Sequence, residues 1–192
     1  MKKLIWATTV FVLFLIFVLP GLMALLIDFV PAEDQPPYRV DEKVSVYGKI
    51  SISQEFVSQE KNLSAIGISL GNPNLKNKKM ISLNLYDAQD KLLRESNLNG
   101  QNFEDGDFVK FFFPTIADSK GKNYRFTISS PEAGPEEVIY VFYTPQAPSW
   151  MGHMVVEDQI FDGATPFVTF HKPESRLSIV NKMYSRFLPF LR

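Results

Sequence analysis

The sequence predicts an all-β domain, a two-sheet antiparallel sandwich of the jelly-roll type, held behind one N-terminal transmembrane helix. Three observations predict this architecture. An uncharged apolar run fills residues 4–27, and apolar and polar residues alternate with a period of two from residue 44 onward. Turn-forming clusters rich in Gly, Pro, Asn and Asp separate the alternating runs. No helical stretch of ten residues interrupts them, which argues against a parallel α/β sheet.

The apolar run predicts a membrane anchor at residues 1–29. Residues 4–27 would form a helix of about 36 Å, enough to cross a hydrocarbon core of about 30 Å. Lys2 and Lys3 precede the run, so the positive-inside rule keeps them in the cytoplasm and places the rest of the chain outside. A cleaved signal peptide is the alternative, but its apolar region is shorter and ends at a small-residue site that residues 21–24 match poorly.

The chain contains no Cys, which excludes a lipoprotein anchor, disulfides and a thiol nucleophile. Between Asp28 and Glu174 there are 21 acidic and 14 basic residues, a net charge of −7, whereas the remaining basic residues lie at the two ends. An acidic domain does not offer the basic face that nucleic acids require, so no nucleic-acid partner is expected.

A Pro-rich linker, predicted to be an extended spacer, occupies residues 30–43, and the β-domain is assigned to residues 44–172. Half-buried strands are predicted where apolar residues alternate with polar ones, at residues 44–52, 66–70, 81–86 and 124–129. The runs 111–113 and 138–143 are apolar on both faces and predict central strands or strands partly covered by a loop. Two weaker strands are expected at residues 152–157 and 166–171, for a total of about nine.

Several segments follow one another in an order typical of a known fold: Ile52-Ser53-Gln54-Glu55-Phe56, Lys61-Asn62-Leu63-Ser64-Ala65-Ile66, Leu83-Asn84-Leu85-Tyr86-Asp87, Leu92-Leu93-Arg94-Glu95, Phe108-Val109-Lys110-Phe111 and Asp118-Ser119-Lys120-Gly121-Lys122-Asn123-Tyr124. Together they resemble the galactose-binding-like jelly rolls of carbohydrate-binding modules, in particular a membrane-anchored version found in bacterial envelope proteins. There the domain stands alone or is attached to polytopic membrane proteins, some of them glycosyltransferases. The resemblance covers roughly residues 45–171 and bears on fold more than on function.

In the carbohydrate-binding relatives, sugars stack on exposed Trp or Tyr, and this chain has one Trp outside the anchor. Trp150 lies in the Pro-rich stretch 144–152 and is the first candidate for ligand contact, with Tyr143 and Tyr86 as weaker companions. The alternative for Trp150 is a cap on the end of the core.

Three carboxylates within four residues, those of Glu104, Asp105 and Asp107, form the candidate metal site. Oxygen-rich loops suit Ca²⁺, and jelly rolls of this type often hold a structural Ca²⁺, although the spacing does not match an EF-hand. An acidic hairpin turn without a metal is the interpretation we favour, and no other cofactor is expected.

The C-terminal segment, residues 173–192, has apolar residues at helical spacing and no acidic residue after Glu174. It predicts a basic amphipathic helix whose candidate membrane-surface residues are Arg176, Lys182, Arg186 and Phe187. Packing on the β-domain and binding to a partner protein are the alternatives.

No catalytic site is predicted, because neither the G-x-S-x-G nor the H-E-x-x-H pattern occurs, and His153 and His171 are expected to be structural or solvent-exposed. The sequence therefore favours a non-catalytic, membrane-anchored extracytoplasmic module that binds a glycan or an envelope protein. An accessory subunit of a membrane glycan-assembly or glycosyltransferase complex is the second hypothesis. An envelope glycan hydrolase, which would need two facing carboxylates, is the third.

Overall fold

The computed structural model describes residues 2–32, 42–144, 151–157, 159–161 and 163–187, and it divides into two compact units. One is helical and comprises Met1–Val30 with Lys172–Arg192. The other, the β-domain, comprises Pro31–His171.

The helical unit contains one long apolar helix near the N-terminus and a shorter C-terminal helix. The long helix consists of α1 (Lys2–Leu13), a π-helical turn (Phe14–Val18) and α2 (Leu19–Leu26), and α3 spans Arg176–Phe187. By length and composition, Ile5–Leu26 is sufficient to cross a membrane. The π-helical turn ends at Val18, two residues before Pro20, and the N–H of the following Leu19 donates to the Phe14 carbonyl instead of to that of residue 15.

The predicted two-sheet antiparallel sandwich is confirmed. Its strands are β1 (Val30–Pro31), β2 (Glu42–Val46), β3 (Ile52–Val57), β4 (Leu63–Gly71), β5 (Met80–Asp87), β6 (Leu92–Asn99), β7 (Asp107–Ile116), β8 (Asn123–Ser129), β9 (Ile139–Tyr143), β10 (Met151–Val156), β11 (Gln159–Phe161) and β12 (Phe167–His171).

The first sheet is built around β4, all nine residues of which are buried. Its strands follow the order β1-β12-β4-β9-β2, and β7 pairs with β4 along the edge that β12 and β9 leave free. The second sheet has the order β11-β10-β3-β8-β5-β6. From β2 to β5 and from β7 to β10 the chain alternates between the two sheets, as a jelly roll requires.

The core lies between the sheets and is filled by alternate residues of nearly every strand. At its centre the ring of Phe167 meets those of Phe56 and Phe126 edge-on, with centroids 5.1 and 5.2 Å away. In the second sheet, β3 and β8 bury their even-numbered residues and β5 its odd-numbered ones. The opposite alternation faces outward and supplies the polar surface on which the candidate site is built.

Three strand predictions are wrong in detail. Residues 66–70, expected to be half-buried, lie in β4, which is buried on both faces because the rings of Phe108 and Phe170 cover Gly67. The run 44–52 forms two strands in different sheets, because Gly48, at φ 54°, allows a tight turn between β2 and β3. The Phe111–Phe113 run, expected to be buried on both faces, alternates instead: Phe111 and Phe113 are buried, whereas Phe112 is 50 % exposed on a strand that pairs with β4 alone. The run ending at Tyr143 is a central strand, as predicted, and pairs with both β2 and β4.

Candidate functional site

An open cleft of about 420 Å³ lies where four elements of the second sheet meet. The C-terminal end of β3, the N-terminal ends of β8 and β10, and the turn between β5 and β6 surround it. Its lining residues are Glu55, Phe56, Val57, Asp87, Ala88, Asp90, Asn123, Tyr124, Arg125, Met151 and Gly152. The cleft is within the size range of small-ligand sites, but its walls are more polar than is usual for them.

The side chain of Arg125 is held in place by contacts with several neighbours in the cleft. Its Nη2 lies 2.7 Å from Oδ1 of Asp90, and its guanidinium lies 4.5 Å above the ring of Tyr86. Its Nη1 donates to the Thr127 hydroxyl at 3.2 Å and reaches that of Ser53 at 3.5 Å. An ion pair, a stacked ring and two hydroxyls hold one planar group, so this arginine is oriented before any ligand arrives.

Two carboxylates of the cleft are placed by backbone geometry. Asp87 Oδ1 accepts hydrogen bonds from the N–H groups of Gln89 and Lys91 at 2.9 and 3.0 Å, which shapes the β5–β6 turn. Glu55 lies against Gly152, where a Cβ would approach the Glu55 Cβ to 2.6 Å. The missing side chain of Gly152 therefore makes room for this glutamate.

Tyr124 forms part of the floor and is almost fully buried. Burial raises the pKa of its hydroxyl above the usual value, and the negative charge of Asp87 raises it further. Both effects favour the neutral hydroxyl, which can donate as well as accept a hydrogen bond.

Beyond the cleft, the outer face of the second sheet continues as a row of polar residues. The hydroxyls of Ser53 and Thr127 are 2.8 Å apart, and Asn84 and Glu95 follow in register on the next two strands. Among the described residues, the Oδ1 atom of Asn84 is buried without a hydrogen-bond partner. A buried acceptor of this kind is costly unless a bound molecule satisfies it.

The cleft offers carboxylate oxygens as acceptors, and the Arg125 guanidinium and the Asn123 amide as donors. A hydroxyl group both donates and accepts, so a hydroxyl-rich molecule suits these walls. Three carboxylates face one guanidinium, which disfavours an anionic ligand.

The predicted ligand residues are not all brought together. Tyr86 lies beside the cleft, with one ring face covered by Arg125. Tyr143 lies on β9 of the other sheet, where its ring meets that of Phe161 and its hydroxyl donates to the Glu42 carboxylate. That hydrogen bond is the main reason why the pKa of Tyr143 is raised. Trp150 falls outside the described residues, although it directly precedes Met151, which lines the cleft.

In the predicted metal loop, two of the carboxylates lie against the protein backbone. Asp107 Oδ2 accepts the Glu104 N–H at 2.8 Å, and Asp105 Oδ1 lies close over the backbone of Gly71. No group of three His, Cys, Asp or Glu side chains in the described part of the chain is arranged to hold a metal ion. The calcium site stays a prediction that a melting experiment can test.

Chelation with EDTA is expected to leave the melting temperature of the full chain unchanged, because Asp107 already stabilises its own turn. Added Ca²⁺ should have no effect either. A bound structural ion would stabilise the folded state by mass action, so a fall in melting temperature in the chelator, reversed by Ca²⁺, would show that the loop is a calcium site.

The C-terminal candidates lie on α3, in the helical unit. Arg176 and Lys182 are described with their side chains, whereas for Arg186 and Phe187 the structure describes the helical backbone alone. The helix packs against α2 of the N-terminal helix, an arrangement that none of the three sequence-based alternatives anticipated.

Sequence reasoning missed the residues that define the cleft: Glu55, Asp90, Asn123 and Arg125. One signal was present, since the predicted alternation places Arg125 and Thr127 on the solvent side of their strand. The pairing of β3 with β8, which sets Glu55 opposite Arg125, is not visible in the sequence.

The chain is thus a jelly-roll β-sandwich with a polar cleft at one end of one sheet. No family model matches its sequence, and no curated protein matches it. Among solved structures, a "xylan-binding module CBM15" is similar at a TM-score of 0.41 and 8% identity, over 77% of this chain and 97% of that one. A "Carbohydrate-Binding Module CBM36 in complex with calcium and xylotriose" is similar at a TM-score of 0.32 and 13% identity, over 75% and 99%. At this level of similarity neither structure assigns a ligand or a site to this chain.

Proposed function

We propose that the protein is a non-catalytic module, held at the cytoplasmic membrane by its N-terminal helix, whose extracytoplasmic β-domain binds a neutral glycan in the cleft. The observation that carries this proposal is the guanidinium of Arg125. An ion pair holds it among carboxylates at one end of the polar outer face of the second sheet. Sugar hydroxyls need paired donors and acceptors held in place, and the net negative charge of the walls selects against acidic glycans.

In the proposed function, Trp150 has the role of stacking on a sugar ring. It supplies the apolar stacking surface that the described walls lack, since Phe56 and Tyr124 are buried and Arg125 covers one face of Tyr86. In the sequence it directly precedes Met151, one of the residues that line the cleft.

The glycan proposal is tested by fluorescence. Trp6 and Trp150 are the two tryptophans of the chain, so the Trp6→Phe variant isolates the emission of Trp150. Titration of the full chain in detergent with neutral oligosaccharides is expected to shift that emission saturably. Glu55→Gln should weaken binding by roughly 10-fold or more, since a hydrogen bond to a charged group contributes about 1.5–3 kcal/mol.

Glu95→Gln is the matched control, the same substitution on β6 of the same sheet, outside the lining of the cleft. Its affinity should equal that of the parent. Equal losses in both variants, or no saturable signal with any neutral oligosaccharide, would contradict glycan binding in the cleft. Hydrolysis of the oligosaccharide during the titration would instead support the hydrolase hypothesis.

The second candidate function is that of an accessory subunit in a membrane complex. Such a subunit would cover with protein part of the surface that the N-terminal helix exposes along its length, where Trp6 and Phe17 are 72% and 69% exposed. Lipid or another membrane protein must cover such a surface. Purification in mild detergent distinguishes the two functions, because an accessory subunit should co-purify with a polytopic partner in a fixed ratio.

A further inference from the structure

The proline in the N-terminal helix leaves a backbone acceptor without its regular donor. In an uninterrupted α-helix the N–H of residue 20 would bond the carbonyl of residue 16, but Pro20 has no N–H and the π-helical turn Phe14–Val18 precedes it. The hydroxyl of Tyr184, on α3, donates to the carbonyl of Ile16. An unsatisfied carbonyl inside a bilayer costs several kcal/mol, and side chains of neighbouring helices are one means of satisfying it.

A residue of α3 also caps the C-terminal end of the N-terminal helix. Arg176 donates from Nη1 to the carbonyl of Ala24 at 3.0 Å and to that of Ile27, and its Nη2 lies 3.3 Å from Oδ1 of Asp28. The last carbonyls of a helix lack partners within the helix and carry partial negative charge, so a guanidinium stabilises them. Here the capping group comes from a segment about 150 residues further along the chain.

These two contacts fix the direction of α3 relative to the N-terminal helix. Arg176, its first residue, lies beside Ile27, and Tyr184 lies beside Ile16, so the two helices are antiparallel. Ile16 lies near the middle of Ile5–Leu26, about 16 Å along the axis from Ile27. If the N-terminal helix spans a bilayer, Tyr184 lies near the depth of its middle.

We propose that α3 is a second membrane-inserted segment, which enters the outer half of the bilayer beside the anchor with its free side against lipid. This inference rests on the membrane anchoring in the proposed function. It differs from a helix lying flat on the membrane surface, because the bond to Ile16 requires α3 to run along the anchor. The burial of Ala24 and Ile179, one on each helix of the pair, supports close packing.

Three polar residues of α3, Ser178, Lys182 and Ser185, have means of lowering the cost of insertion. The hydroxyls of Ser178 and Ser185 donate to the backbone carbonyls of Ser175 and Lys182, at 2.6 and 2.9 Å. Lys182 is half-buried, and its long apolar stem allows the ammonium to extend towards the headgroups. The side chain of Leu177 is 67% exposed in the protein, and after the proposed insertion it would contact lipid.

The absence of Cys from the sequence allows a direct test by single cysteines in the full chain, reconstituted in phospholipid vesicles. Ser178→Cys and Ser185→Cys are a matched pair, both exposed on α3, one near its start and one near its deep end. A membrane-impermeant maleimide should label Ser178→Cys much faster than Ser185→Cys. Detergent should then make the two rates equal.

Two further variants calibrate the depth. Lys120→Cys, exposed on the β-domain, defines full labelling for molecules oriented outward, and Phe17→Cys, exposed in mid-anchor, defines protection by lipid. Equal, rapid labelling of both serine positions would overturn the insertion of α3. Protection of Ser185→Cys that persists in detergent would also overturn it, because protein rather than lipid would then cover the site. Rapid labelling of Phe17→Cys would instead refute the anchor itself.

A double-mutant cycle tests the specific contact. Tyr184→Phe should speed the labelling of Ser185→Cys by roughly threefold or more, as expected for loss of one hydrogen bond between membrane helices. In a Pro20→Ala background, residue 20 can itself donate to Ile16, so Tyr184→Phe should have little further effect. Equal effects of Tyr184→Phe in both backgrounds would overturn the pairing of Tyr184 with the proline-freed carbonyl.

Discussion

Replacement of Phe167 by alanine is expected to lower the free energy of unfolding of the β-domain by about 3–5 kcal/mol, the range for Phe→Ala in a packed core. Phe167 is 1% exposed, and its ring contacts those of Phe56 and Phe126 edge-on, so the substitution removes the contact that links β12 to β3 and β8 across the sandwich. Thermal and urea denaturation of the full chain in detergent, followed by circular dichroism at wavelengths sensitive to β-structure, measures the change.

Phe112→Ala is the matched control, because Phe112 is half exposed on β7. It should cost less than about 1 kcal/mol, as surface substitutions usually do. A loss at Phe167 no larger than that at Phe112 would show that the inter-sheet core is not packed as described. Since Phe56 also lines the cleft, Phe167→Ala should weaken glycan binding as well, whereas Phe112→Ala should not.

The fold was largely predictable because its signals are local. Alternation with a period of two located β4, β5 and β8, and turn clusters marked the connections, where Gly106 and Gly121 adopt positive φ as such turns demand. The division between β2 and β3 was missed since Gly48 interrupts an alternation that otherwise continues in phase. Sheet order and register depend on contacts between distant segments, and the composition of one segment does not reveal them.

The candidate site was less predictable for the same reason. The sequence indicates both Tyr86 and Tyr143 as ligand residues, but only Tyr86 lies beside the cleft, whereas Tyr143 lies on the other sheet. Arg125 and Asp90 are 35 residues apart, and their ion pair depends on the β5–β8 register. The contact of Tyr184 with Ile16 spans 168 residues. The amphipathic pattern of α3 indicated an apolar partner without specifying which one.

Replacement of Asn77 by alanine is expected to lower the free energy of unfolding by about 3 kcal/mol or more. Asn77 is fully buried, and its side chain makes three hydrogen bonds: from Nδ2 to the Ser130 hydroxyl and the Glu137 carbonyl, and from the Lys79 N–H to Oδ1. Each buried group left without a partner costs about 1–3 kcal/mol. Thermal denaturation is again the measurement, and Asn97→Ala, which removes an exposed hydrogen bond to Glu95, is the control expected to have little effect.

The same variant separates stability from function, because the Asn77 network and the cleft lie at opposite ends of the second sheet. Asn77 precedes β5 and bonds to Ser130 just after β8, whereas the cleft is formed by the end of β5 and the start of β8. Well below its lowered melting temperature, Asn77→Ala should therefore bind neutral oligosaccharides as tightly as the parent chain. Glu55→Gln should show the reverse pattern, with weakened binding and an unchanged melting temperature. Equal loss of binding in Asn77→Ala at a temperature where circular dichroism shows it folded would mean that the ligand site extends beyond the cleft to the far end of the sandwich.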